Sequence, residues 1–326
     1  MKEHQTLRPS VRAFRLFASL CALISLPFAT THAAKYAGEA FGLGVGARSL
    51  ALGGAVVAGP FDGTFGYWNP AGLAHLERRA ITAMHAETFG ALLNHDFVSY
   101  TVPVADTVAA IDAYGFYFYY LGGGGIQITR MDPISGRPFV ESVESHGDYL
   151  LAGSLARRAG KFTFGATARV FYRDIVFASG YGGALDAGAL WQARPDTRVG
   201  LTVSDLSVGV IRYSTGVTET VTPSVRLGAL HERRNGEFTA RALMAGDIRF
   251  EGRRASAQFW AGDMSLDTHW GLELSYRELA FGRVGADIGA LTLGAGVIVR
   301  QVTLDMAFLR HGDLDDSYRF SAGYGF

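Results

Sequence analysis

The last ten residues of the chain, Ser317-Tyr318-Arg319-Phe320-Ser321-Ala322-Gly323-Tyr324-Gly325-Phe326, alternate strictly. One parity is Tyr, Phe, Ala, Tyr, Phe; the other is Ser, Arg, Ser, Gly, Gly. Successive strand residues face opposite sides, so this strand has one aromatic face and one small, polar face. The pattern recurs. Trp270, Leu272, Leu274 and Tyr276 oppose His269, Gly271, Glu273, Ser275 and Arg277. Phe162, Phe164, Ala166, Ala168, Val170 and Tyr172 oppose Thr163, Gly165, Thr167, Arg169 and Arg173. In a soluble sandwich the outer face is richer in charge. An aromatic face set against a Gly/Ser/Thr face with scattered charges suits a barrel whose outside meets lipid and whose inside is polar.

Connection lengths point the same way. We read about 14 strands, running from 78–89 through 94–104 and 107–121 to 302–311 and 317–326. Short turns (Ala105-Asp106, Ala159-Gly160, Pro195-Asp196, Arg234-Asn235, Glu278, Gln301) alternate with longer connections at 122–146, 176–181, 207–221, 251–267 and 312–316. Transmembrane barrels keep this order, and an even strand count returns both ends to the periplasm. Residues 254–260 hold a further candidate strand, so 12 and 16 remain alternatives. The expected fold is all-β: a transmembrane antiparallel β-barrel over residues 77–326.

Lys2, Arg8, Arg12 and Arg15 precede an apolar run from Leu16 to Ala29, followed by Thr31-His32-Ala33-Ala34. This is the layout of a secretory signal peptide and is too short to span a bilayer. Residues 1–33 are expected to be removed, with cleavage after Ala33 or Ala34, taking the single Cys21 with them. The expected location is the outer membrane. The whole chain has 30 basic and 30 acidic residues, which argues against nucleic-acid binding.

Residues 34–76 are Gly-rich and lack clean alternation, yet carry Phe41, Leu43, Leu50, Leu52, Phe65 and Trp68. Such residues bury surface, so the segment is expected to be a hatch or plug folded into the lumen. Its most distinctive stretch is Tyr67-Trp68-Asn69-Pro70-Ala71-Gly72-Leu73, where Asn69 can cap a helical turn with Pro70 at its first position. Gly42-Leu43-Gly44-Val45-Gly46-Ala47 matches a loose dinucleotide pattern without the strand and helix that pattern needs. The histidines lack zinc-ligand spacing, Asp313, Asp315 and Asp316 do not match an EF-hand, and no nucleophile elbow is present. No catalytic residue, metal or cofactor is expected. Arg169, Arg226, Glu273, Asp305 and Arg319 fall on the polar parity and are expected to face the lumen. Leu274, Phe320 and Tyr324 are expected to face lipid. Tyr318, Phe320, Tyr324 and Phe326 form a terminal aromatic parity that barrel-assembly machinery is expected to read by strand addition.

The run Gly44-Val45-Gly46-Ala47-Arg48-Ser49-Leu50-Ala51-Leu52-Gly53-Gly54-Ala55-Val56-Val57-Ala58, followed by Tyr67-Trp68-Asn69-Pro70-Ala71-Gly72-Leu73, resembles the N-terminal region of the PorV/PorQ family, a branch of the FadL-like outer-membrane barrels. Leu304-Asp305-Met306-Ala307-Phe308 and Gly312-Asp313-Leu314 resemble that family's final hairpin. The stretch Gly59–Gly66 departs from it, since relatives have an acidic, Ala-rich run there. The resemblance implies 14 strands with an N-terminal hatch. It implies a structural or cargo-binding role linked to type IX-like protein secretion, or alternatively FadL-like passive transport of hydrophobic small molecules. The expected partners are outer-membrane lipid, the assembly machinery, and either secretion cargo or a hydrophobic small molecule. An enzyme is the least expected of the readings.

Overall fold

The computed structural model describes residues 38–326 apart from 89, 91, 106–109, 207–208 and 311–314. The expected signal peptide, residues 1–33, and Asp313 of the acidic loop lie outside the described residues.

The wall begins with β1 (Ala80–Thr88), β2 (Leu93–Pro103), β3 (Ala113–Met131), β4 (Pro138–Ala159), β5 (Phe162–Asp174), β6 (Ser179–Arg194) and β7 (Thr197–Ser204). Two short strands follow, β8 (Gly209–Tyr213) and β9 (Thr218–Val221). The wall resumes with β10 (Ser224–Asn235) and β11 (Phe238–Arg249), and a three-residue strand, β12 (Phe259–Ala261), comes next. It ends with β13 (Met264–Tyr276), β14 (Ala280–Asp287), β15 (Ala290–Val299), β16 (Val302–Leu309) and β17 (Ser317–Gly325). Strand β7 pairs with β10, β11 with β13, and β17 returns to β1 from Ala80↔Gly325 to Glu87↔Tyr318. The result is a closed, 14-strand, antiparallel barrel. Closure removes every free edge from the wall, which is what a sheet in lipid requires.

The outer surface carries the aromatic parity. Leu274, Phe320 and Tyr324 are 54%, 55% and 47% exposed, whereas Glu273 and Arg319 are each 2% exposed. At the long-loop end, Tyr120 pairs with Tyr149, Tyr149 with Tyr172, and Tyr172 with Tyr181, making an unbroken outward row across four strands. Near the short turns lie Phe162 against Trp191, Phe238 against Tyr276, and Tyr324 against Phe326. Two aromatic belts flanking an aliphatic band match the two interfaces of a bilayer. Replacing Leu274 by Arg should therefore destabilise the barrel by roughly 2–4 kcal/mol in lipid. Urea unfolding in vesicles reads this out, and a Leu274→Arg chain as stable as wild type would contradict the facing.

The structure corrects several boundaries. Segment 122–146 continues β3 and β4 as a paired hairpin rather than a loop, with register shifts between Gly123 and Ile126 and between Ile128 and Thr129. The four glycines at 122–125 interrupt the alternation that marks a strand, whereas backbone pairing continues across the bulge. Strand β2 ends at Pro103 and β3 starts at Ala113, later than the reading of 107–121. Residues 254–260 give a 3₁₀ turn and part of β12, which pairs beside β13 and is not a wall strand. His85 and His95, which adjacency could have brought together, point to opposite faces. His85 sits beside Asp96 outside, at 2.6 Å, and His95 is fully buried inside.

Candidate functional site: the hatch and its seat

Residues 41–75 cross the lumen. The segment has a short helix at Ala47–Ala51, another at Phe65–Trp68 and a 3₁₀ turn at Pro70–His75. Five-residue and four-residue helices cannot stand alone in water, so tertiary contacts hold them. Val45, Ala51, Leu52, Val56, Val57, Phe65 and Leu73 have no exposed surface.

The motif Tyr67–Leu73 is the internal knot of the hatch. The Tyr67 hydroxyl donates to the Phe41 carbonyl at 2.8 Å and accepts from the Gly44 amide at 3.1 Å. The Trp68 indole donates to the Val45 carbonyl at 2.9 Å. Asn69 caps the 3₁₀ turn by accepting from the Ala71 amide, and its side-chain amide donates to the Val57 carbonyl at 2.9 Å. Pro70 supplies the first turn position, where a missing N–H costs nothing. Gly72 packs under the Phe65 ring, and a Cβ there would lie 2.1 Å from it.

The seat is made of inward glycines. Gly165 pairs with Gly188, Gly200 with Gly228, and Gly271 with Gly285 across adjacent strands. Each lets hatch atoms reach the wall. A Cβ on Gly165 would come within 2.3 Å of the Ala71 nitrogen, and one on Gly200 within 2.4 Å of the Val57 carbonyl oxygen. At Gly271 the obstacle is the Leu52 carbonyl oxygen, and at Gly285 the Gly53 nitrogen. These glycines account for part of the high glycine content, 42 of 326 residues. The available signal was glycine on the inward parity of Gly165, Gly271 and their neighbours.

Wall hydroxyls hold the hatch backbone. Ser99 donates to the Gly63 carbonyl, Thr167 to that of Gly66, Thr202 to that of Trp68 and Thr292 to that of Ala51, at 2.7–3.1 Å. They satisfy backbone groups that a chain without regular structure would otherwise leave unpaired in the interior. His75 stacks on Phe61 and meets the Thr163 hydroxyl at 3.0 Å. Burial, with the Arg198 and Arg158 charges, holds its imidazole down at about 4. The ring is therefore neutral at ordinary pH.

Charge ties the helix Ala47–Ala51 to the wall. Glu273 has a fully buried side chain and accepts from three arginines: Arg48 of the hatch at 2.7 and 2.9 Å, Arg241 at 2.8 Å and Arg283 at 2.7 Å. Arg283 also meets Asp305 at 2.7 Å, and Arg241 meets Glu232 and Glu278. Glu273 faces Arg241 on one side and Arg283 on the other in direct register. Elsewhere Arg169 bridges Asp186 and Asp205, and Arg226 pairs with Asp247 while covering the Trp68 ring at 4.9 Å. Arg319 meets His95. Arg169, Arg226, Glu273, Asp305 and Arg319 each meet a polar partner, and the structure joins Glu273 and Asp305 in one network. Their partners Arg48, Arg241, Arg283, Asp186, Asp205 and Asp247 were not singled out from the sequence. Parity gives the face of a residue, whereas pairing needs the register between strands.

The hatch separates two cavities. One, of about 120 Å³, opens toward the long loops and is lined by Phe41, Tyr67, Trp68, Tyr117, Arg169 and Arg226 among others. The other, of about 400 Å³, lies toward the short turns and is lined by Arg48, Asp62, His75, Arg198, Asp305 and Ser321 among others. An apolar recess of about 730 Å³ on the outer wall, beside Ala83, Ala295, Leu304, Met306 and Phe320, shares Asp305 and Ser321 with the second cavity.

At the closing strand, Phe326 stacks near Tyr324 and Tyr100, with ring centroids 5.9 and 6.3 Å away. These contacts belong to the short-turn aromatic belt. If Phe326 also serves as the assembly signal, deleting it should sharply lower the amount of barrel in the outer membrane while refolding in detergent stays efficient. Unchanged membrane levels at ordinary expression would leave Phe326 with the belt role alone.

No protein-family model matches the chain, and no curated protein matches it in sequence. Among solved structures it is similar to the Ralstonia pickettii toluene transporter TbuX, with a TM-score of 0.53 and 13% identity, over 87% of this chain and 98% of that one. It is similar to the CymD monoaromatic hydrocarbon channel, with a TM-score of 0.53 and 13% identity, over 87% and 98%. It is also similar to the Pseudomonas putida toluene transporter TodX, with a TM-score of 0.50 and 12% identity, over 86% and 97%. At these identities the likeness is one of fold. It shows the barrel architecture and does not show the PorV/PorQ family.

Proposed function

We propose that this chain is an outer-membrane barrel that passes hydrophobic small molecules without an energy source, with its hatch controlling the lumen. The observation that carries this reading is a hatch seated between two cavities inside a barrel whose fold neighbours are a toluene transporter and a monoaromatic hydrocarbon channel. Export by residues 1–33, residence in the outer membrane and the division into hatch and barrel at residue 76 are parts of the same proposal. The non-catalytic reading agrees with the fold neighbours, which are transporters and channels. Vesicles containing the pure, folded chain should take up toluene faster than empty vesicles. Equal uptake by both would refute the reading.

A second reading, cargo holding of the PorV/PorQ type, draws on the sequence resemblance and on the β3–β4 hairpin. That hairpin extends beyond the pairing of β4 with β5 and exposes Met131, Ile134, Phe139, Val140 and Val143. Exposed apolar side chains on a projecting element mark an interaction surface. Replacing residues 126–144 by a short turn should then abolish co-purification of partner proteins while leaving toluene uptake intact. The fold comparisons support the transporter reading over this one.

A further inference from the structure

The hairpin of β3 and β4 outgrows the wall. Strand β3 pairs with β2 only as far as Gly122, and with β4 as far as Met131. Strand β4 pairs with β5 only from Gly147 onward. Among the described residues, 123–131 and 138–146 therefore pair with each other and with no other strand. This ribbon starts just past the outer aromatic row at Tyr120 and Tyr149, so it stands in water rather than in lipid. Two strands alone are marginally stable in water, and two open edges are a template for further strands.

The two edges differ. On the β3 edge, Gly123 to Thr129 holds no charge and no proline, two of the devices that keep an edge unpaired, and Arg130 is its one charge. The β4 edge carries Glu141 and Glu144. Ile128 pairs with Ser142, Thr129 with Val140 and Arg130 with Phe139, so Glu141 lies level with residues 128–130. Arg130 and Glu141 meet at 2.5 Å within the ribbon. Both are exposed, and an exposed ion pair holds weakly enough to be shared with a second ribbon.

The membrane decides which edges can meet. Copies of one barrel in one membrane share one orientation and are related by rotation about the membrane normal, which keeps each residue at its height. Like edges would then run parallel and set Glu141 beside Glu141 and Glu144 beside Glu144, or Arg130 beside Arg130. Like charges directly opposite destabilise a sheet. Unlike edges run antiparallel, because β3 and β4 run in opposite directions, and that pairing is the more stable per residue. It also sets Arg130 of one copy level with Glu141 of the next.

We propose that the ribbon joins copies of this chain head to tail, with the β3 edge of one copy adding to the β4 edge of the next. The contact is heterologous, so it closes as a ring of more than two copies or extends as a row. The exposed Met131, Val140 and Val143 then lie beside a neighbouring strand. The occupant of this surface is a second copy of the chain and not secretion cargo. The proposal rests on residence in a membrane and not on what the barrel passes.

The test is disulfide trapping in phospholipid vesicles holding two variants of the full chain, mixed before refolding. One variant carries Gln127→Cys or Thr129→Cys, and the other Val140→Cys or Val143→Cys. A disulfide needs Cβ atoms about 4 Å apart, so only directly adjoining strands are joined. At least one mixture should give a cross-linked pair on oxidation. Each variant alone should stay at the level of wild type, whose one cysteine is Cys21. Adding Glu141→Lys and Glu144→Lys to the β4-edge variant should lower the cross-linked fraction about five-fold. Adding Arg130→Glu to the β3-edge variant should then restore part of it. These changes leave the wall alone, and the heat-dependent gel shift verifies that each chain is folded. Cross-linking within a single variant means that like edges meet, and no cross-linking in any mixture means that the ribbon does not join copies. Either result overturns the proposal. Toluene uptake by the same vesicles reports on the transport reading separately.

Discussion

Replacing Glu273 by Ala is expected to destabilise the barrel by about 3–5 kcal/mol, the cost of removing one partner from a buried ion network. Glu273 is the only carboxylate among the described residues that Arg48 contacts, and it also serves Arg241 and Arg283. Without it, Arg241 keeps Glu232 and Glu278, and Arg283 keeps Asp305. Arg48 keeps none of its ion pairs. The loss should therefore fall first on the hatch helix Ala47–Ala51, and the wall should suffer less. Arg48→Met in the same chain should restore part of the stability, because it removes the stranded charge. Urea unfolding in detergent, followed by the heat-dependent gel shift of the folded barrel, measures both effects. A Glu273→Ala chain within about 1 kcal/mol of wild type would mean that the network is solvated in the lumen.

Replacing Gly165 by Ala is expected to unseat the hatch while leaving the wall folded. The added Cβ would meet backbone, 2.3 Å from the Ala71 nitrogen and 2.4 Å from the Pro70 carbonyl carbon. Backbone inside a capped turn cannot rotate away as a side-chain tip can. The wall strand itself tolerates Ala, since Gly165 lies in regular β5. The proper control is Gly282→Ala, where the new methyl has no atom within 4 Å. The Gly165 variant should show rapid proteolytic cleavage within residues 57–75 and several-fold faster toluene entry into vesicles, whereas Gly282→Ala should match wild type. Unchanged cleavage and uptake in Gly165→Ala would show that the hatch slides within its seat.

The alternation of Ser317–Phe326, of His269–Arg277 and of Phe162–Arg173 already contained the fold class, because period-two patterning assigns each residue to a face whatever its neighbours are. Aromatic residues on one face and Gly, Ser, Thr and lone charges on the other distinguished a lipid-facing wall from a sandwich. Pairing was not contained there. Glu273 became the centre of the network because β11 and β14 flank β13 in a register that sets Arg241 and Arg283 beside it. Register is a property of two strands together. The hairpin at 122–146 was hidden for a related reason: its glycines erase the local pattern, and its strand character comes from the ladder between β3 and β4. In Tyr67–Leu73 the cap at Asn69 was legible because capping is local chemistry. The glycine seat was not, since a glycine on the inward parity signals only missing volume. What fills that volume, the Ala71 nitrogen at Gly165 or the Leu52 carbonyl at Gly271, is decided when a segment more than 90 residues away in sequence folds across the lumen.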